Sequence, residues 1–264
     1  MTFQPAIPMS GLAGWSFLQR TKEQQQQSFA QSASVRRDTD YFKEKFADIK
    51  TAEDLVDDRR LLRIALGAFG LQDDIDYRAF IRRIIEGGVD DSASLANRLS
   101  DSRYRSLAKE FSFLSATDNE TTPAPDFAGK IVQKYIKREF EVSVGAQDQS
   151  MRLALTLQRE LPGLSQSFSS ERAQWFSLLG NPPLRKAMET VFNLPKEFGM
   201  LPIDNQYTRL RDAAMRQFGT SDLNELAQPD KLKEITQRFL LMSELREVQT
   251  GFSPAAAALF LLQR

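Results

Sequence analysis

Neither cysteine nor histidine occurs anywhere in the 264 residues of this chain. Without cysteine there is no disulfide, no thiolate nucleophile and no Cys-ligated zinc or iron–sulfur cluster. Without histidine the commonest metal ligand and general base is gone, and with it every His-dependent triad. Long apolar runs are also missing. The most apolar stretch, Pro254–Leu262, falls far short of the about 20 residues that span a bilayer, so no transmembrane segment is expected. Met1-Thr-Phe-Gln-Pro-Ala-Ile-Pro8 has no basic segment followed by an apolar one, so no cleaved secretory signal is expected and cytoplasmic residence is the default.

An excess of either charge is lacking too, with 35 Lys+Arg against 35 Asp+Glu. Nucleic-acid modules draw on a basic stripe, and none is evident, so no nucleic-acid partner is expected. The pairs Arg36-Arg37, Arg59-Arg60 and Arg82-Arg83 lie in helical pattern with acids nearby and read as solvated helix faces. Phosphate-cradling loops of the GxxxxGK[ST] or GxGxxG type are absent. The 19 Phe fall at helical spacing and read as core rather than as a base-stacking platform.

What is there is a helical period, almost throughout. A first helix spans Leu12 to about Gln31, although Lys22-Glu-Gln-Gln-Gln-Gln27 has no apolar face; such a helix is exposed or completed by a partner. A second begins around Asp38, with Tyr41, Phe42 and Phe46 as its buried stripe. Thr51-Ala-Glu-Asp54 resembles a capping box, Asp57 or Asp58 can cap Arg59–Phe69, and Gly70 is a plausible stop. Helices at about Ile75–Glu86, Ser94–Leu99 and Ser102–Leu114 follow. Ser115–Pro125 is polar, Pro-bearing and aperiodic, and its Asn119-Glu-Thr121 matches a glycosylation sequon of the kind that arises by chance. Phe127–Leu161 reads as one helix kinked at Gly145 or two in line, ended by Pro162-Gly163. Helices at Ser169–Leu179, 182–193, 203–218 and 229–248 complete the pattern, with Asn181-Pro182 as a start signal and Gly219 and Gly251 as stops.

Two stretches match in order and spacing. Leu61, Ile64, Ala65, Ala68, Phe69 and Leu71 recur 123 positions later as Leu184, Ala187, Met188, Val191, Phe192 and Leu194. Leu95, Tyr104, Leu107, Phe111 and Leu114 recur 128 positions later as Leu223, Leu232, Ile235, Phe239 and Met242. Any two amphipathic helices share such spacings, but the common order of cap, stop and aromatic points to duplication. The expectation is an all-α, helical bundle-like fold with two pseudo-repeated halves. Residues 1–50 form an N-terminal helical arm, 51–114 the first repeat, 115–126 a linker, 127–250 a long helix plus the second repeat, and 251–264 an apolar C-terminal helix.

Paired acids stand at Asp57-Asp58, Asp73-Asp74 with Asp76, and Asp90-Asp91. Each pair precedes a helical run, where carboxylates cap free N–H groups and complement the dipole, so capping is expected rather than catalysis or metal binding. Asp74-x-Asp76 fails as a calcium loop because Arg78 stands where a ligand belongs. No catalytic residue, metal ligand or cofactor is assigned. The two ends carry apolar residues that make Trp15, Phe17, Leu18, Phe260, Leu261 and Leu262 candidates for contact with a protein partner or a second copy; docking on the chain's own body is the competing expectation.

Several segments together resemble an uncharacterised all-helical family of alphaproteobacteria, often encoded among flagellar genes. They are Gly14-Trp15, Phe17–Thr21, Arg37–Phe42, Asp57–Leu71, Ala79–Arg83, Ser94–Leu99 with Asp101 and Tyr104, Phe111–Phe113, Leu179–Arg185, Leu194-Pro195 and Arg238–Leu240. The resemblance covers almost the whole chain. It implies an all-α protein linked by genomic company to flagellar structure, assembly or regulation, and it leaves room for export by the flagellar route. No catalytic residues are established in the family, so it transfers no site. A non-enzymatic structural or interaction protein is the reading that follows, set against a hydrolase or metal-dependent enzyme with converging Asp/Glu.

Overall fold

The computed structural model describes residues 3–115, 123–167 and 170–251. Among these, fourteen α-helices and no strand make an all-α fold. They are α1 (Gly11–Ala30), α2 (Ala33–Lys45), α3 (Ala52–Asp57), α4 (Arg59–Phe69), α5 (Arg78–Gly87), α6 (Leu95–Arg98), α7 (Ser102–Glu110), α8 (Phe127–Gly145), α9 (Gln149–Ser167), α10 (Glu171–Leu179), α11 (Pro182–Val191), α12 (Ile203–Phe218), α13 (Leu223–Leu226) and α14 (Pro229–Gly251). The chain divides into two compact units. One takes the residues up to Ala6 with Arg20–Val144; the other takes Ile7–Gln19 with the described residues from Gly145 onward.

In the first unit, local chemistry sets the helix ends. Thr51 Oγ1 accepts from the Asp54 N–H at 3.1 Å while Asp54 Oδ2 accepts from the Thr51 N–H at 2.9 Å, a complete capping box on α3. Asp58 caps α4 through the N–H groups of Arg60 and Leu61. Gly70 ends α4 at φ 73°, and the Leu71 N–H closes back on the Leu66 carbonyl at 2.9 Å. The apolar face so positioned, Leu62, Ile64 and Leu66 among others, packs with Phe42, Phe46, Phe111 and the α8 residues Phe127, Ile131 and Tyr135. Phe127 stacks on Phe46 with ring centroids 5.0 Å apart. A smaller cluster joins Ile84, Ala96 and Ala108 across α5, α6 and α7.

The second unit centres on Trp175, fully buried, whose indole N–H donates to the Ser221 carbonyl at 3.1 Å. Leu157, Leu161, Leu178, Met188, Phe198 and Phe239 are buried in the same unit. Asn181 Oδ1 accepts from the Leu184 N–H, with Pro182 at the first helical position. Asn193, just beyond α11, has φ 50° and is the one non-glycine residue with positive φ among the described residues.

Three expectations from the sequence need correction. Pro162-Gly163 does not end α9, which continues to Ser167 with Pro162 inside. A proline removes one helical hydrogen bond, but Leu157, Leu161 and Leu164 are all buried at helical spacing, and that burial keeps the helix going. The helix α2 starts at Ala33 rather than near Asp38, because Val35 and Thr39 are buried with Phe42 and draw its first turn in. Ile75 does not start α5, which begins at Arg78 after a 3₁₀ turn at Gln72–Asp74. Gly145, the expected kink, is the last residue of α8. The sequon at 119–121 lies outside the described residues.

Candidate functional site

Two of the surface concavities among the described residues offer room for ligand or partner chemistry. The first, in the first unit, is an open depression of about 680 Å³ lined by Lys45, Asp48, Ile49, Asp54, Asp57, Asp58, Arg59, Arg60 and Leu61. Its two best-placed carboxylates are already engaged. The amide N–H of Lys50 and the hydroxyl of Thr51 hold the Asp54 carboxyl below the ordinary carboxylate range. Burial alone would raise the Asp58 carboxyl. Hydrogen bonds from the Tyr41 hydroxyl at 2.5 Å and from two backbone N–H groups outweigh burial and lower it. The Tyr41 phenol is raised in turn by that bond, and the Arg60 guanidinium lies 3.8 Å from its ring centroid.

Of the other acids singled out in the sequence, Asp74, Asp76 and Asp91 are engaged, though not all as caps. Asp74 Oδ2 accepts from the Tyr104 hydroxyl at 2.8 Å, and with burial this drives the phenol pKa up. Asp76 pairs with Arg59 at 2.7 Å, and Asp91 accepts from the Ala93 N–H at 2.8 Å. Among the described residues, no group of three or more Asp or Glu is arranged to hold a metal ion. In two of the three arginine pairs a member meets an acid: Arg60 reaches Asp38 at 3.2 Å, and Arg82 reaches Glu53 and Glu86 at 2.9 and 2.6 Å, whereas Arg37 donates to the Ala33 carbonyl.

The second concavity, in the second unit, is a groove of about 540 Å³ lined by Gln217 of α12 and by Glu234, Gln237, Arg238, Leu241, Met242, Glu244 and Leu245 of α14. Leu241 and Leu245, one helical turn apart, keep 46% and 53% of their surface exposed. The opposite face of α14 is buried through Ile235, Phe239 and Leu240. Arg238 does more than line the groove: its Nε–H donates to the Val191 carbonyl at 2.9 Å and satisfies the end of α11. Arg246, one turn beyond Met242, donates to the carbonyls of Glu189 and Leu194 at 3.1 and 2.9 Å. The groove therefore sets two half-exposed leucines among amide, carboxylate and guanidinium groups, on a helix that Arg238 and Arg246 tie to the end of α11.

Of the candidate contact residues, Trp15 and Leu18 are buried within the chain and Phe17 is half-buried. Phe260, Leu261 and Leu262 lie outside the described residues. The polar middle of α1 is largely exposed, but Gln25 within it is buried and bonds both the N–H and the carbonyl of Ala6, at 2.7 and 3.1 Å. Leu241 and Leu245 were not singled out from the sequence. The signal was present, because Leu240-Leu241-Met242 with Leu245 makes the apolar arc of α14 too wide for one buried stripe.

Fourteen helices and no strand among the described residues, in two compact units, define the class as an all-α protein. The chain belongs to the family described as Protein of unknown function (DUF1217), whose profile matches residues 68–232. It is similar to the X-ray crystal structure of protein AGR_C_984 from Agrobacterium tumefaciens, a structural-genomics target. The TM-score is 0.71 at 26% identity, covering 92% of this chain and 99% of that one. No curated protein matches the chain.

Proposed function

We propose that this chain is a non-enzymatic interaction protein serving flagellar structure, assembly or regulation, and that the α12/α14 groove is where it receives a protein partner. The exposed pair Leu241 and Leu245 carries the reading. Exposed apolar side chains one turn apart in a groove with polar neighbours suit an amphipathic helix or an apolar peptide segment. The engagement of Asp54 and Asp58 in helix starts weighs against hydrolytic or metal chemistry in the other depression. The flagellar link rests on the genomic company of the family that the sequence resembles.

The test is swimming motility in the organism that encodes the protein. Deletion should impair swimming, the unmodified gene should restore it, and a Leu241→Glu/Leu245→Glu variant should not, although its helical circular dichroism is unchanged. Normal swimming of the deletion strain would sink the flagellar reading. Restoration by the double variant would sink the groove.

We further infer that the two halves of the sequence are a duplicated seven-helix unit, α1–α7 and α8–α14. In each series the fourth helix is followed by a 3₁₀ turn, a helix, a four-residue helix and a final helix; the first series has two more 3₁₀ turns, at Phe46–Asp48 and Ser112–Leu114. Support comes from the helix ends, 123 positions apart: the caps Asp58 and Asn181, the left-handed residues Gly70 and Asn193, and the closing bonds Leu71 to Leu66 and Leu194 to Glu189 at 2.9 and 2.8 Å.

A further inference from the structure

We propose that one copy of this chain inserts its turn at 199–203 into the α12/α14 groove of a second copy, so that the protein assembles head to tail. This rests on the reading of the groove as a partner site and names the partner as the chain itself. Turn and groove both belong to the second unit. The turn, between the 3₁₀ helix Lys196–Met200 and α12, is built to project. Met200 is 85% exposed and Ile203 49%, with Pro202 exposed between them. Beneath them Phe198 is fully buried. Gln206, buried in α12, donates through Nε2 to the carbonyls of Gly199 and Leu201 at 3.3 and 2.7 Å. These bonds fix the turn before a partner arrives, so little conformational freedom is lost on binding.

The two surfaces complement each other. Met200 and Ile203 bring apolar side chains, one of them unbranched and adaptable, to the half-exposed Leu241 and Leu245. Among the described residues neither Lys196, which opens the 3₁₀ helix before the turn, nor Glu244, which lines the groove, has an ion-pair partner, and both are exposed. The contact brings these opposite charges to the same edge. Within one copy the surfaces stand apart: the turn leads into α12 at Ile203, whereas the groove meets α12 at Gln217, about 21 Å further along the helix. Met200 and the two leucines are exposed in the same chain, so its turn does not fill its own groove. Because turn and groove are different surfaces, the contact is heterologous, and each added copy leaves one turn and one groove free for the next.

Mass against concentration, measured by analytical ultracentrifugation on the full-length chain, tests this. A contact this small is weak, so the unmodified protein should gain mass at about 100 µM and, as concentration rises, pass the mass of two chains. Met200→Glu keeps the groove and loses the turn; Leu241→Glu/Leu245→Glu keeps the turn and loses the groove. Each alone should hold the mass of one chain, with helical circular dichroism unchanged because all three positions are exposed. Mixed in equal amounts, the two variants should form a species of two chains and grow no further, since one working turn and one working groove remain between them. An unmodified chain that stays single up to about 1 mM would overturn the proposal. So would a Met200→Glu variant that still assembles, which would point to a symmetric groove-to-groove contact, or a mixture that stays single. The motility test reads the flagellar role and none of these masses, so the two readings fail separately.

Discussion

Asp58 does several jobs at once. It caps α4, accepts from Tyr41 at 2.5 Å, and sits beside Arg60, which itself faces the Tyr41 ring. Replacing it with alanine removes the cap and strands the phenol, at a cost of about 1–2 kcal/mol. Its folded pKa is lowered from 3.8, so its stabilising contribution is complete above that value and is lost as the pH falls through the lower folded value. Urea midpoints measured from pH 6 down to pH 2 should therefore fall less steeply for Asp58→Asn than for the unmodified chain. Equal slopes would mean that the carboxylate gains nothing from folding. This residue's role was readable in the sequence, because an acid before an apolar-periodic run names its own function. The partner was not, since Tyr41 lies 17 residues away and only packing brings it close.

At the scale of elements, stops and starts built from neighbouring residues were legible: the Thr51 box, the Asn181-Pro182 start, and the glycine stops Gly70 and Gly219. What escaped depended on residues far along the chain. Pro162 reads as a terminator until the burial of Leu164 is known. The paired ends of α4 and α11 give a prediction. Gly70→Ala should destabilise by about 1–2 kcal/mol, because its φ of 73° is unfavourable for a residue with a Cβ. Asn193→Gly, at φ 50°, should be neutral or slightly stabilising, while Asn193→Val should destabilise. Thermal melts of the three variants check this; a stable Gly70→Ala would mean that α4 ends differently.

For the whole molecule, sequence order and unit membership do not coincide. The helix α8 follows the polar stretch expected to be a linker, yet it packs into the core of the first unit through Phe127, Ile131 and Tyr135. The first residues of α1 belong with the second unit, where a Cβ on Gly11 or Gly14 would collide with Glu244 or with Met9 and Met151. Cutting the gene between α7 and α8 should thus give two fragments that do not melt cooperatively alone. Mixing them should restore a cooperative transition by circular dichroism. A cooperative melt of the isolated 127–264 fragment would refute this.

That membership also sets a timetable for the chain as it leaves the ribosome. Phe46 cannot stack on Phe127 until a further 81 residues have been made, and Gly11–Gln19 must wait for partners that begin at Gly145. Local helices form within microseconds, but closing such long loops comes late and slows folding. Trp15 and Leu18, buried in the finished protein, are thus exposed to solvent and to chaperones for most of synthesis.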